Sequence, residues 1–342
     1  MNILFLVAGL ALLVFGADIL IRGVSALARA LGVSPLIIGL TVVAFGTSVP
    51  ELTINTLAAL HDDAPQMGLA FGNLVGACTL NIGLVLALSA IVRPLAVGKT
   101  IILRDIPMMI LSVTAMVVLS ADWRLNHAEL NQLARGDGLI LLLLFCVFVY
   151  YLAKDTFVRQ REAAHPPDRL VTDVKENIQA GKGLGSTGAH ETPLWLSAIL
   201  TLAGLVCVAF GGKTAVDGAM GLASALGVPQ VIIGLTIVSF GTTLPELATS
   251  VAASRRGQSD LAIGNVVGSN IFNTLFIGGI TSTINPMPIP KGGVADVLFL
   301  MALCILLLPV AIRGPRIITR AEGAVLLCIY LTYAVWRTWS AT

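Results

Sequence analysis

Long apolar stretches, repeated along the chain, constrain its fold more than any other feature of the sequence. A helix needs about 17–25 residues to cross the hydrocarbon core of a bilayer. Stretches of this kind lie at about 2–21, 35–60, 67–91, 101–121, 137–153, 194–212, 229–253, 261–282, 294–312 and 317–337. None alternates apolar and polar residues as a barrel strand does, and a span must satisfy its own backbone hydrogen bonds. The sequence therefore predicts an all-α polytopic membrane protein with ten transmembrane helices.

Charged residues support this class and predict an orientation. Only 12% of the residues are charged, whereas soluble domains carry roughly 25%. If the N-terminus lies outside, only five of the 21 Lys and Arg residues fall on the outer side, which leaves sixteen inside. The outer five are Arg124, Arg135, Lys213, Lys291 and Arg337. Because basic residues collect on the cytoplasmic side of membrane proteins, we expect the N-terminus outside and the polar 154–192 segment in the cytoplasm.

The two halves of the chain resemble each other. A shift of 195 positions places FGADILIRGVSALARALGVSPLIIGLTVVAFGTSVPEL over FGGKTAVDGAMGLASALGVPQVIIGLTIVSFGTTLPEL. The next loop is three residues shorter in the second half, after which GNLVGACTLN aligns with GNVVGSNIFN. Each half holds five predicted spans, so the second half enters the membrane from the opposite side. This is an inverted repeat, which many secondary transporters use to build two gates around one midplane site. We predict a five-helix repeat over 1–153, a linker over 154–192 and an inverted five-helix repeat over 193–342.

One predicted span in each half is interrupted by proline. The motifs FGTSVPE and FGTTLPE place Pro50 and Pro245 inside apolar runs. Each proline lacks an amide donor and displaces the carbonyl four residues earlier, on Gly46 and Gly241. At this depth, irregular backbone is tolerated only where it faces protein or a water-filled cavity. Carbonyls released in this way are suitable ligands for a cation.

The same motifs place carboxylates and hydroxyls on one helix face. The spacing of three and four residues aligns one set in the first half and its repeat in the second: Ala44, Thr47, Ser48 and Glu51, then Ser239, Thr242, Thr243 and Glu246. A carboxylate inside the membrane costs at least ~2.5 kcal/mol and usually marks an ion or proton path. The alternative is a purely structural pair of protonated glutamates hydrogen-bonded to neighbouring helices.

Amide residues follow on the third and eighth predicted spans. The first half supplies Asn73 and Asn81, and the second supplies Asn265, Ser269, Asn270 and Asn273. A GxxxG spacing in each of these spans permits close helix approach, which is a packing role in its own right. Ligation by oxygen alone, with two negative charges, suits a hard cation such as calcium, which takes about 6–8 oxygens, or sodium. No nucleophile with a neighbouring base is present, so the sequence predicts neither an enzyme nor a cofactor.

With GTSVPE/GTTLPE followed by GNLVG/GNVVGSNIFN, the chain resembles the calcium/cation antiporter superfamily, in its prokaryotic sodium/calcium exchanger-like branch. The resemblance implies an antiporter of the prokaryotic cell (inner) membrane, in which spans 1 and 6 slide across the other eight and one monomer suffices. It implies calcium ligation by Glu51, Glu246, Thr47 and Thr242. It assigns sodium sites to Ser48, Thr243, Ser269 and the carbonyls of Ala44 and Ser239, with Asn81 and Asn273 lining the centre.

Two positions depart from the pattern of that superfamily. The first repeat reads GAC where the family usually has GSN, so Ala77 replaces a hydroxyl that helps to hold one sodium ion. Asn273 stands where some relatives have aspartate. Both changes leave open whether sodium or protons drive the exchange, and the sequence does not separate calcium from manganese or cadmium. A passive cation channel is the remaining alternative, although a channel usually forms its pore from several subunits.

Overall fold

The chain is nearly all helical in the computed structural model, which describes residues 2–60, 64–120, 131–164, 193–226, 239–313 and 316–339. The α-helices of these residues are α1 (Asn2–Leu31), α2 (Pro35–Ile38), α3 (Ala44–Thr47), α4 (Val49–Leu60), α5 (Ala64–Leu80), α6 (Ala87–Val92), α7 (Ile106–Leu119), α8 (Arg135–Ala164), α9 (Leu194–Ala225), α10 (Ser239–Thr242), α11 (Leu244–Arg255), α12 (Ser259–Ile271), α13 (Gly278–Ile284), α14 (Gly293–Ile312) and α15 (Arg320–Trp339). Four π-helical turns join some of them: π1 (Gly39–Val43), π2 (Asn81–Leu86), π3 (Ile101–Asp105) and π4 (Phe272–Ile277). The predicted all-helical class is confirmed.

Seven helical stretches of the described residues are long and apolar enough to cross a membrane, and the bent pair Pro35–Thr47 and Val49–Leu60 makes an eighth if it is one span. The seven are Asn2–Leu31, Ala70–Val92, Ile101–Leu119, Arg135–Val158, Leu194–Ala225, Ser259–Ile284 and Gly293–Ile312. Of the predicted span 229–253, residues 229–238 lie outside the described part, and most of the 154–192 linker does too. The count of ten spans and the inverted repeat therefore stay predictions.

Helices α1 and α9 pack along each other in antiparallel fashion, with glycines at intervals of seven residues on both. These glycines are Gly9, Gly16, Gly23, Gly204, Gly211 and Gly218. A Cβ atom on Gly16 would lie 2.8 Å from the backbone nitrogen of Val208, and one on Gly211 would lie 2.6 Å from that of Leu13. Only glycine permits backbones to meet this closely. The two long helices therefore form one interlocked pair.

The outer faces of this pair are apolar. Leu4, Phe15, Leu202 and Phe210 expose 62–69% of their surface. In a chain of this composition, such side chains face lipid instead of water. The pair therefore lies at the periphery, while α12, in which every residue from Leu261 to Ile271 is buried, lies at the centre.

Two short antiparallel strand pairs join segments outside the helices. Strand β1 (Leu95–Ala96) pairs with β4 (Ile317–Ile318), in the register Leu95↔Ile318. Strand β2 (Gln132–Leu133) pairs with β3 (Met287–Pro288), in the register Leu133↔Met287. Each pair connects a segment of the first half to one of the second, so the two halves are fastened together beyond the helix ends.

Candidate cation site

The first proline motif forms a bent helix. The limb from Pro35 to Thr47 and the limb from Val49 to Leu60 meet at an angle of 48°. Pro50 lies in the first turn of the second limb, where a missing amide costs little. The amide of Ser48 still donates to the Ala44 carbonyl at 3.1 Å, and the Thr47 hydroxyl lies 3.4 Å from the same oxygen. The bend thus brings the Ala44 carbonyl and the Thr47 hydroxyl together.

The second proline motif has the same break in the helix, although the amide at the joint bonds three residues back instead of four. Helix α10 ends at Thr242, Thr243 forms the joint, and Pro245 lies in the first turn of α11. The Thr243 amide donates to the carbonyl of Phe240 at 3.2 Å. Ser239 is the first described residue of α10, and the 227–238 segment that precedes it is outside the described range.

The two glutamates are buried, and their partners come from opposite halves of the chain. Glu51 is 1% exposed and Glu246 is fully buried. The Ser48 hydroxyl donates to Oε1 of Glu246 at 3.0 Å, and the Thr47 side chain interacts with the same carboxylate. Reciprocally, Thr242 of the second half interacts with the carboxylate of Glu51. The hydroxyls of each proline motif therefore interact with the carboxylate of the other motif.

Buried oxygens with unused bonding capacity concentrate around these motifs. Within the described residues, neither carboxylate oxygen of Glu51 nor Oε2 of Glu246 makes a hydrogen bond of ordinary geometry. The same holds for the Ser269 hydroxyl and the side-chain oxygens of Asn81 and Asn273. A buried polar atom without a partner costs roughly 1–3 kcal/mol, and more if it is charged. Six such oxygens belong to the predicted ligands, and oxygen donors of this kind suit hard cations.

The amides on the neighbouring spans have divided roles. The Asn81 side chain donates to Oδ1 of Asn270 at 3.1 Å, and Asn270 donates to the Cys78 carbonyl at 3.2 Å. Asn270 also has Met109 sulfur at 3.7 Å, so its amide is occupied by protein groups. Asn273 interacts with the Cys78 side chain, but its oxygen makes no hydrogen bond of ordinary geometry in the described residues. Asn270 is therefore a structural link between the halves, while Asn81 and Asn273 retain oxygens for a ligand.

Asn265 is a hub whose role the sequence did not reveal. Its nitrogen donates to the hydroxyls of Thr249 at 3.0 Å and Ser250 at 2.9 Å, and lies 3.4 Å from the Glu246 carbonyl. Its oxygen accepts from Thr47 at 3.3 Å. Asn265 thus links the backbone at Glu246 to the Thr47 hydroxyl of the opposite motif.

Asn55 and Ser250 are further polar residues that the sequence analysis omitted. The Asn55 side chain donates to the Glu51 carbonyl at 2.9 Å, and both residues are buried. Each lies four residues after a glutamate, one turn further along the same face. The i,i+4 spacing, continued one turn beyond Glu51 and Glu246, is the sequence signal that predicts Asn55 and Ser250 on the same face.

The GxxxG spacings have different surroundings in the two halves. A Cβ on Gly264 would lie 3.1 Å from the Leu36 carbonyl, and one on Gly268 would lie 2.8 Å from Leu40. The predicted close approach is therefore present where α12 meets the first bent helix. No described residue comes within 4 Å of a Cβ placed on Gly72 or Gly76.

Charge compensation inside the protein does not explain the two glutamates. No Lys or Arg of the described chain is buried. Asp105 is also fully buried, but Arg104 pairs with it at 2.7 Å at the beginning of another span. The residues described include no cluster of three His, Cys, Asp or Glu side chains, so the charge of this site comes from Glu51 and Glu246. Chemically, the site offers hard oxygen donors and two negative charges, which is a fit for one divalent or several monovalent cations.

Comparison with known proteins agrees with this chemistry. The sequence profile of the sodium/calcium exchanger protein family matches residues 1–154 and 196–339. CaxA of Alkalimonas amylolytica is 34% identical over 336 residues, covering 96% of each chain. The sodium/calcium exchanger MaX1 of Methanosarcina acetivorans is 30% identical over 351 residues, covering 98% of this chain and 97% of its own. A solved structure of the sodium-calcium exchanger NCX_Mj superimposes with a TM-score of 0.78 at 29% identity, covering 98% of this chain and 97% of that chain. The chain is a multi-pass membrane protein that belongs to the sodium/calcium exchanger family.

Proposed function

We propose that this protein is a secondary antiporter that exchanges calcium for sodium across the membrane by alternating access, with Glu51 and Glu246 as the central cation ligands. The observation that carries the proposal is a pair of buried carboxylates, 1% and 0% exposed, three of whose oxygens make no hydrogen bond of ordinary geometry in the described residues. A buried carboxylate without a counter-charge is strongly unfavourable. Cations must therefore occupy the site during most of the transport cycle.

Calcium is the transported divalent ion in this proposal. Glu51 and Glu246 supply its charge compensation, and Thr47 and Thr242 supply hydroxyl oxygens from the two motifs. Calcium takes about 6–8 oxygens in flexible geometry, and the oxygens of Asn81 and Asn273 bring the shell into that range. MaX1 and NCX_Mj, which this chain resembles over nearly its full length, are named sodium/calcium exchangers.

Monovalent ions use the groups that flank this centre. We assign them to the hydroxyls of Ser48, Thr243 and Ser269 and to the carbonyls of Ala44 and Ser239. The hydroxyl of Ser269 is fully buried and has no partner in the described residues, as expected for a ligand position. Proton coupling through the two glutamates is the alternative, and it is favoured by Ala77, which brings no oxygen, and by the neutral Asn273.

Alternating access requires parts that move against each other. We propose the full chain as ten spans in two inverted repeats, 1–153 and 193–342, joined by a cytoplasmic linker over 154–192. The interlocked pair α1 and α9 is the moving part, since its glycine contacts join the two helices more closely to each other than to the remainder. A single chain contains the whole site in this arrangement, so a monomer suffices for transport.

Calcium flux into proteoliposomes tests this proposal. The full-length protein should accumulate radioactive calcium against its gradient when an opposing sodium or proton gradient is imposed. Glu51→Gln and Glu246→Gln should each reduce uptake at least about a hundredfold, because each removes one charge from the centre. Glu322→Gln is the matched control, since Glu322 only caps α15 through Thr319.

Other results would contradict the proposal. Calcium flux that ignores both gradients, or single-channel currents, would identify a passive channel. Full activity of the two glutamate variants would remove these residues from the mechanism. Thermal unfolding measures calcium binding separately from transport. A ligand at about 100 times its Kd stabilises the folded state by about 2.7 kcal/mol, so bound calcium should raise the thermal midpoint.

A further inference from the structure

The two flanks of the candidate site are not equivalent. One flank, called here the Ser269 flank, consists of Ala44, Thr47, Ser48 and Ser269. A Cβ on the adjacent Gly268 would lie 2.9 Å from the Ala44 side chain, which places this part of α12 against the first bent helix. The other, the Ala77 flank, consists of Ala77 and the motif residues Ser239–Thr243; there α5 packs against α10.

The repeat alignment shows what differs between these flanks. Ala77 occupies the position that Ser269 has in the second half, and Cys78 the position of Asn270. Ser269 is fully buried, and its hydroxyl has no partner in the described chain. Ala77 is also buried, at 1% exposed, but contributes a methyl group. One flank therefore offers a monovalent cation an additional oxygen, and the other offers hydrocarbon at the same place.

The charge of the site limits how many ions it can hold. Its two carboxylates sum to −2, and the central Asn81 and Asn273 are neutral. Asp105 is the other fully buried carboxylate of the described residues, and Arg104 neutralises it. One calcium ion balances −2, and so do two monovalent cations. A third monovalent cation would leave a net positive charge in a medium of low dielectric constant, where an unbalanced charge is strongly unfavourable.

We propose that this chain exchanges one calcium ion for two monovalent cations, sodium ions or protons, and is therefore electroneutral. The inference rests on the proposed antiport function. Its two supports are the missing oxygen at Ala77 and the site charge of −2. With either ion load the central charges are balanced, so the site reorients without moving net charge across the membrane.

Dependence on membrane potential tests the charge count. The full-length protein in proteoliposomes is given a fixed sodium or proton gradient, and valinomycin with potassium sets the potential at zero or about 100 mV of either sign. Electroneutral exchange predicts a final calcium accumulation ratio that changes less than roughly twofold. One net charge per cycle would change it about 50-fold for each ~100 mV, and that result would overturn the proposal.

The same preparation separates this inference from the proposed function. If calcium does not accumulate with either gradient at zero potential, the antiport itself is wrong. If it accumulates but follows the potential, antiport stands and electroneutrality fails.

The double variant Ala77→Ser with Asn273→Asp tests whether these two positions limit the exchange to two monovalent ions. It restores the missing oxygen and adds one negative charge, so exchange should take a third monovalent ion and become dependent on potential. A transporting double variant that still ignores the potential would contradict the role of these two positions. Ser282→Ala, which removes a buried hydroxyl bonded to the Gly278 carbonyl of its own helix, is the control and should leave the potential dependence unchanged.

Discussion

Ser48 donates a hydrogen bond of 3.0 Å to Glu246, a residue 198 positions further along the chain. The donor belongs to the bend of one proline motif, and the acceptor is the carboxylate of the other. Thr242 stands in the reciprocal relation to Glu51. Because each motif supplies hydroxyl partners to the glutamate of the other, neither half of the chain forms the candidate site alone. A displacement of one half relative to the other therefore changes the surroundings of both glutamates.

We predict that Ser48→Ala weakens calcium binding. Hydrogen bonds to charged groups contribute about 1.5–3 kcal/mol, so loss of this donor to a proposed calcium-binding carboxylate should raise the half-saturating calcium concentration about 10- to 100-fold. Calcium uptake by proteoliposomes measures it. Thr53→Ala is the matched control, since the Thr53 hydroxyl is exposed and bonds only to the Val49 carbonyl of its own helix. Equal half-saturation in the two variants would show that Ser48 does not act at the cation site.

The local features of the site follow from the sequence, whereas the contacts between spans do not. Pro50 and Pro245 predict the breaks, and the spacing of three and four residues predicts which side chains share a face. The pairing of Asn81 with Asn270 depends on the rotation of each span about its axis and on the π-helical turns beginning at Asn81 and Phe272. A π-helical turn changes the residues that face a neighbour, and no local sequence signal specified these turns.

The close glycine contacts between α1 and α9 predict different effects on stability for alanine substitutions at the adjacent residues Gly211 and Gly212. In Gly211→Ala, the new methyl group would lie 2.6 Å from the Leu13 nitrogen, so α1 and α9 must separate. In Gly212→Ala, the closest atoms are those of Pro245 at 3.5 Å, which is an ordinary contact. Overpacking costs about 1–3 kcal/mol. Thermal unfolding in detergent should therefore show a lower midpoint for Gly211→Ala and little change for Gly212→Ala; equal midpoints would contradict the tight pairing.

An ion pair connects α1 to the end of α11. Asp18 accepts from Nε of Arg256 at 2.9 Å and pairs with Arg22 at 2.8 Å, and the Ser25 hydroxyl donates to Gln258 at 2.9 Å nearby. Partly exposed pairs contribute about 0–1 kcal/mol. We expect Asp18→Lys to lower the transport rate up to about fivefold by placing like charges together, and Arg256→Glu in the same chain to restore most of it. If the double variant is as slow as Asp18→Lys, this contact does not couple α1 to α11.

The predicted orientation can be tested across the α12–π4–α13 span. Arg255 and Lys291 are both exposed and lie at its two ends, so the proposed topology places Arg255 in the cytoplasm and Lys291 outside. Arg255→Cys and Lys291→Cys are prepared in a chain whose exposed Cys146 and Cys328 are replaced by alanine. In intact cells, a membrane-impermeant maleimide should label only the Lys291→Cys variant, and permeabilisation should expose the other. Labelling of both in intact cells would mean that Ser259–Ile284 does not cross the membrane, and labelling of Arg255→Cys alone would reverse the orientation of the whole chain, because every other span is placed relative to this one.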